Sequence, residues 1–168
     1  METMTMSSLP ARDLDRDELT TIVDQLAEDR QRWMSLVGYD DAERVFVSLH
    51  RDDHVDVWLL CWTPVNDTGW HDHDISSGAV RVVRGALAES NPRIGGEPVT
   101  RVVSSGESFS FGPDHIHRLT GVDERSVSIH AYSPPLWRLG QYSIDADGVM
   151  RRKSVSYAEE LRPLELPA

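Results

Sequence analysis

The chain of 168 residues (18.9 kDa) has the size of one ordinary domain, and its content of 39% hydrophobic and 27% charged residues supplies a core while excluding a disordered chain. Seventeen basic against 28 acidic residues give a formal net charge of −11, a field that repels phosphate backbones and anionic membrane surfaces, so neither nucleic acid nor membrane is an expected partner. The single cysteine, Cys61, excludes an internal disulfide and points to a reducing compartment; the opening Met1 to Arg12 lacks the basic start and apolar run of a signal peptide, and a cytoplasmic protein is expected.

From Leu14 to Val37, the residues Leu19, Ile22, Val23, Leu26, Trp33, Met34 and Val37 recur at three- and four-residue steps, which predicts helix in one piece or two. Gly38 stands where a helix end takes a residue tolerant of the left-handed conformation, and Asp40-Asp41 extend the break. After Arg44 the period changes. Short runs rich in Val, Ile, Phe, Trp and Thr over 45–49, 55–62, 79–83, 99–103, 108–111 and 126–132 predict strands. Turn chemistry separates them at 51–53, 64–69, 91–96, 112–114 and 145–148, and Gly85 marks a tight turn between two strands. Short strands without intervening helices predict an N-terminal helical segment over 1–41 attached to an all-β unit over 42–168, built as an antiparallel β-barrel. The tail 162–168 carries no functional signal.

Seven histidines occur, at 50, 54, 71, 73, 115, 117 and 130, and two pairs have the spacing His-x-His. On a strand, residues i and i+2 face the same side, so His71 and His73 can both aim imidazoles into a barrel and take adjacent positions on one metal. The bland counterpart is a pair of solvated residues at a strand end, as His50 and His54 are expected to be beside a polar hairpin turn.

Gly69-Trp70 lead into His71-Asp72-His73, and Gly85 follows twelve residues after His73. A second element starts at Gly106 and reaches His117 eleven residues later. These stretches resemble the paired motifs of the cupin superfamily, whose fold is a jelly-roll antiparallel β-barrel. In that pattern a glutamate ligand stands seven residues before the glycine; here the position is Gly78, so the carboxylate ligand is missing. Three neutral imidazoles then keep the full charge of a divalent metal and leave open positions for an anionic substrate and dioxygen. Among cupins, the chain resembles most the thiol dioxygenases typified by cysteine dioxygenase. The resemblance extends to Leu60-Cys61-Trp62, to His117-Arg118, and to Ser128-Ile-His130-Ala-Tyr132-Ser-Pro-Pro135.

The resemblance implies an iron(II) site of His71, His73 and His117. His115 shares the parity of His117 and is its rival; the count from Gly106 favours His117. It also implies that Tyr132 places its hydroxyl near a bound thiolate and oxygen, with His130 and Ser128 orienting it, and the three share one face of a strand. For the substrate carboxylate, the family pattern puts an arginine on a strand before Trp62. Ungapped spacing lands there on Val45, and Arg44 becomes the candidate if the hairpin near Asp52-Asp53 carries one extra residue, since a one-residue shift reverses the face. In mercaptopropionate-type relatives the arginine follows Ser-Pro-Pro, where Arg138 is nearest. Animal members carry a cysteine at the position of Gly78 that crosslinks to the tyrosine; this chain cannot make that bond. Cys61, on an apolar strand, is expected to be a small buried residue.

The function implied is iron(II)-dependent oxidation of a small thiol, with L-cysteine first, to its sulfinic acid by O2. The alternatives are a dioxygenase of 3-mercaptopropionate or another thiol, a cupin that binds a metal or ligand without turnover, and a zinc or nickel enzyme of hydrolysis or isomerisation.

Overall fold

The structure is a computed structural model that describes residues 6–156. Its one α-helix, α1 (Arg16–Glu28), starts in a capping box: the Asp15 carboxylate accepts from the Glu18 amide, and the Glu18 carboxylate accepts from the Asp15 amide. The helix ends at Asp29, and two three-residue 3-10 turns, Arg30–Arg32 and Met34–Leu36, follow it. The apolar period beyond Leu26 therefore belongs to turns, and the Trp33 indole closes them by donating to the Leu26 carbonyl at 3.0 Å. Gly38 is not among the residues with positive φ, so the left-handed stop expected there is absent.

Among the described residues eleven strands follow: β1 (Val45–Arg51), β2 (Asp56–Trp62), β3 (Trp70–Asp72), β4 (Ser77–Arg84), β5 (Ala86–Arg93), β6 (Gly96–Ser104), β7 (Ser108–Phe111), β8 (Arg118–Gly121), β9 (Ser126–Ser133), β10 (Arg138–Ile144) and β11 (Met150–Ser156). The apolar strands β1, β2, β4, β6, β7 and β9 are those expected from sequence, whereas β3, β5, β8, β10 and β11 are additional to them. The turn expected over 91–96 narrows to Ile94-Gly95, because β5 runs on to Arg93. Gly85 makes the β4–β5 turn at φ +69, and a Cβ there would lie 2.6 Å from the Arg125 carbonyl oxygen.

The fold is all-β with a jelly-roll arrangement, and the pairings are antiparallel. The strands form a five-stranded sheet, β1-β2-β9-β4-β7, and two three-stranded sheets, β11-β10-β3 and β6-β5-β8. They do not close into the continuous barrel expected from sequence; isolated bridges at His71–His117 and Asp67–Thr120 join the two small sheets.

Two apolar clusters flank the large sheet. On its outer face Leu19, Ile22, Val23 and Leu26 of α1 pack over Val57, Leu59, Cys61, Ala79, Val127, Ile129 and Ala131. On its inner face Leu60, Trp62, Val80, Val82, Phe111 and Tyr132 meet Leu87, Leu119 and Leu139 from the small sheets. Strand β9 is buried along its whole length, with alternate residues serving the two clusters. Among the described residues no helix is long and apolar enough to cross a membrane.

Ile22 is 1% exposed and sits at the centre of the helix–sheet contact. Ile22→Ala is expected to lower the unfolding free energy by about 2–5 kcal/mol, measured by urea titration with an unchanged slope.

Candidate metal centre

Strand β3 carries His71, His73 follows it, and His117 stands just before β8. His71 and His117 face each other across an antiparallel bridge, in which each amide donates to the other's carbonyl at 2.9 and 3.0 Å. The residue between the first two histidines, Asp72, points away from them into β10 and β11. Its carboxylate accepts from the Gly140 amide at 2.9 Å, from the Tyr142 hydroxyl, and from Arg152 Nε and Nη2 at 2.9 and 3.1 Å. These partners outweigh partial burial and hold the Asp72 carboxyl down at about 2.

All three histidines are buried, and their candidate ligand atoms lie within 4.8 Å of one another. The Gly69 carbonyl accepts from His71 Nδ1 at 3.0 Å, and Glu89 Oε2 accepts from His117 Nδ1 at 2.8 Å. An imidazole that spends its proton at Nδ1 presents a bare lone pair at Nε2. Two such Nε2 atoms, of His71 and His117, stand 3.1 Å apart, which is repulsive until a cation lies between them. A divalent ion with nitrogen ligands at about 2.1 Å and a right angle between them needs a separation of about 3.0 Å. Both ring nitrogens of His73 are buried without a hydrogen-bond partner among the described residues. Burial, then the repulsion that protonating more than one of these clustered imidazoles would bring, holds His71 and His73 well below the ordinary histidine range; burial also lowers His117, against the pull of Glu89. The donor set is three neutral imidazoles, and it fits a divalent metal.

The sequence reading missed Glu89. It lies on β5 with 1% side-chain exposure, accepts from His117, and pairs through Oε1 with Arg101 of β6 at 2.8 Å. These hydrogen bonds and charges outweigh its burial and keep it ionised. The signal was its parity with Leu87 on a strand that the sequence reading did not assign. Glu89, His115 and His117 form a second cluster of possible ligands. In it His115 Nε2 lies 3.3 Å from Glu89 and 3.2 Å from the Asn91 amide, and its ring stacks on Phe111 at 5.0 Å. Glu89 already meets Arg101 and His117, so its oxygens are spent on orientation and ion pairing.

Along the inner face of β9 runs a buried hydrogen-bonded row. Trp62 Nε1 donates to Ser128 Oγ at 2.9 Å, Ser128 Oγ lies 2.7 Å from His130 Nε2, and His130 Nδ1 lies 3.2 Å from the Tyr132 hydroxyl. Burial and the charge of Arg44 keep His130 well below its ordinary value, hence neutral. The Tyr132 ring stacks on His73 with centroids 5.2 Å apart.

Arg44 is 4% exposed, with its guanidinium 4.7 Å from the centroid of the Trp62 ring. The β1–β2 register shifts between Ser48 and His50, so the extra residue is Leu49, inside the strand, and Val45 lies opposite Cys61 on the outer face. Arg44 thereby shares the inner face with Trp62. Arg138 opens β10 with its side chain exposed. His50 and His54, partly exposed, pair with Asp52 and Asp13 at 2.7 and 3.0 Å. Gly78 lies opposite both Tyr132 and Phe111, and a Cβ there would stand 2.4 Å from the Phe111 ring. That ring fills the space a side chain at 78 would need.

The family model described as cysteine dioxygenase type I matches residues 5–145. The chain belongs to that family. Among solved structures it resembles an uncharacterised conserved protein with a double-stranded β-helix domain from Klebsiella pneumoniae, at 12% identity and a TM-score of 0.53 over 71% of this chain and 91% of that one. A cupin superfamily protein from Desulfitobacterium hafniense matches at 11% identity and a TM-score of 0.52 over 61% and 87%. At these identities the two structures show the cupin fold alone, while the family is metal-dependent and the histidine cluster is its candidate site.

The depressed Asp72 carboxyl makes a signed prediction. Its contribution to stability is complete above the ordinary carboxylate range near pH 4 and is lost as pH falls toward about 2. Asp72→Asn should flatten the fall in unfolding free energy between pH 5 and pH 2 relative to the parent, read from urea midpoints across that range.

Proposed function

We propose that this protein is a thiol dioxygenase that uses iron(II) held by His71, His73 and His117 to convert a small thiol, first of all L-cysteine, to its sulfinic acid with both atoms of O2. The observation that carries this reading is the end of the β9 row: Tyr132 bonds to His130 through its hydroxyl while its ring lies on His73. A site that only binds a ligand has no need of an oriented proton donor beside its metal. Iron(II) bound there would supply the Lewis acidity that keeps the thiol ionised and a redox couple for activating dioxygen, while the four electrons that reduce O2 come from the sulfur as it passes from thiolate to sulfinate.

The residues of the row set the direction of their protons. Trp62 is a donor only, so Ser128 accepts from it and directs its own proton to His130 Nε2. Neutral His130 then carries its proton on Nδ1 and donates to the Tyr132 oxygen. Tyr132 accepts from His130 through its oxygen, and its own O–H is the group that would donate to negative charge developing on the sulfur and oxygen atoms of a bound substrate. Because the row is buried, no water competes for these bonds.

Arg44 supplies the anchor for the substrate carboxylate. A carboxylate carried into this interior would be costly unless paired, and the guanidinium offers it a bidentate partner. Its guanidinium lies 4.7 Å from the centroid of the Trp62 ring, whose indole begins the row, and this supports the assignment. The exposed position of Arg138 favours Arg44 over it.

The experiment is oxygen uptake by iron-loaded protein with cysteine, 3-mercaptopropionate and cysteamine, with the sulfinic product identified by mass. Uptake is expected with cysteine; absence of uptake with every thiol sinks the reading. His117→Ala should abolish iron retention, whereas His115→Ala should leave it within a few-fold. Tyr132→Phe should retain iron and thiol and lose turnover by roughly 10²-fold, since its hydroxyl acts on the reacting atoms. Arg44→Ala should raise the Michaelis constant for cysteine roughly 10- to 100-fold and leave that for cysteamine, which has no carboxylate, nearly unchanged.

A further inference from the structure

Two of the three candidate ligands have their rings set by a hydrogen bond at Nδ1, His71 to the Gly69 carbonyl and His117 to Glu89. His73 has no such bond to either nitrogen among the described residues. Ring stacking on Phe111 at 4.6 Å and on Tyr132 at 5.2 Å limits its tilt. Stacking is soft along the ring plane, so the position of the imidazole depends on its backbone.

That backbone is gripped from both sides by one residue. Arg152 of β11 meets Asp72 through Nε and Nη2, and the same Nη2 reaches Asp74 Oδ1 at 3.3 Å. Asp72 and Asp74 are the neighbours of His73 in the chain. The Asp74 amide donates to Asp72 Oδ1 at 3.0 Å, and Asp74 is the one described non-glycine residue with positive φ, 54°, a left-handed conformation that side-chain-bearing residues adopt uncommonly and that the surrounding contacts hold in place.

The grip also shapes the strand that lies between. In the β11-β10-β3 sheet, Gly140 is opposite Asp72 on one side and Ser154 on the other, while Arg152 is opposite Tyr142. Arg152 therefore reaches Asp72 diagonally across Gly140. A Cβ on Gly140 would stand 2.2 Å from Arg152 Nε and 2.6 Å from Asp72 Oδ2. The absent side chain is the passage for the guanidinium. Arg152 also lies beyond the family match, which ends at residue 145.

We infer that Arg152 is a positioning residue for the metal centre: by holding Asp72 and Asp74 across Gly140 it fixes the backbone of His73 and so sets how tightly His71, His73 and His117 hold a divalent ion. This rests on the reading of those histidines as ligands. The bidentate fork is what lysine cannot supply, because its ammonium is a single point of charge.

The test is titration of the metal-free full chain with cobalt(II) chloride, followed by visible absorption, with thermal unfolding of each metal-free variant run beside it. Arg152→Gln and Gly140→Ala, the second keeping every charge, should each raise the cobalt dissociation constant roughly 10- to 100-fold and shift the absorption bands, as losses of ligand-orienting contacts do. Arg151→Gln, which removes the same charge one residue earlier and whose ion pair among the described residues is with Asp145 at 3.6 Å, should bind as the parent does. A lower melting temperature for Arg152→Gln with cobalt affinity within twofold of the parent would make the contact mere sheet stabilisation and overturn the proposal. Equal weakening by Arg151→Gln would reduce it to net charge and overturn it as well. Parent protein that binds no cobalt, or His117→Ala that binds it as well as the parent, removes the ligand assignment itself, an outcome distinct from the other two.

Discussion

Everything at the candidate centre depends on the two backbone hydrogen bonds exchanged between His71 and His117. They are a single antiparallel bridge, and they join the β3 sheet to the β8 sheet where neither sheet continues. Residues directly opposite in such a bridge project their side chains to the same side, so the pairing itself brings the two imidazoles together with ring centroids 4.6 Å apart. The outer partners then choose the tautomers. The Gly69 carbonyl and the Glu89 carboxylate accept from Nδ1 of His71 and His117, so two Nε2 lone pairs face one another across 3.1 Å, the disposition a cation between them would favour. A network of hydrogen bonds that would be ordinary at a protein surface makes, in this buried setting, a donor set that fits a metal.

The same interior is kept dry from the opposite side by α1. Strand β9 alternates Ser126, Ser128, His130 and Tyr132 inward with Val127, Ile129 and Ala131 outward, and the outward set is covered by the helix. Without α1 that outer face would meet solvent and the strand would need only one buried side. Covering it gives β9 the rigidity of a strand packed on both faces, and the polar row inherits that rigidity. Four side chains from two strands satisfy one another in sequence from Trp62 to Tyr132, which is how so many polar atoms are tolerated at near-zero exposure.

The strands that carry the ligand cluster and the row were partly legible from residue spacing, for physical reasons that differ by element. His71, His73 and His117 stood out because an imidazole pair at i, i+2 on a strand is a recognisable pattern, and β9 because its apolar and polar residues alternate. Glu89 was invisible because β5 reads Ala-Leu-Ala-Glu-Ser-Asn-Pro-Arg, too polar to be taken for a strand. Strands β10 and β11 were missed for the same reason: β11 exposes Met150 to Ser154 and is held by pairing to β10 and by the Asp72–Arg152 contact, neither of which leaves a hydrophobic signature. The face of Arg44 could not be read at all, since it depends on an extra residue at Leu49 that looks like any other strand leucine. Pairwise geometry between distant segments is what the one-dimensional pattern omits.

The crossing of Phe111 over Gly78 has a consequence for how such a chain can change by single steps. A side chain at 78 collides with the ring while Phe111 remains, and loss of the ring first leaves His73 without one of its stacking surfaces. Each replacement is therefore harmful on the background of the other, and the two positions behave as one inherited unit. A thiol at 78, beside Tyr132, would therefore need the Phe111 ring to shift or be replaced, and its stacking on His73 would change with it. Glycine at 78 is in that sense a committed state, kept by its neighbour across the strand, and the absence of a crosslink to Tyr132 is protected by sterics long before chemistry has any say.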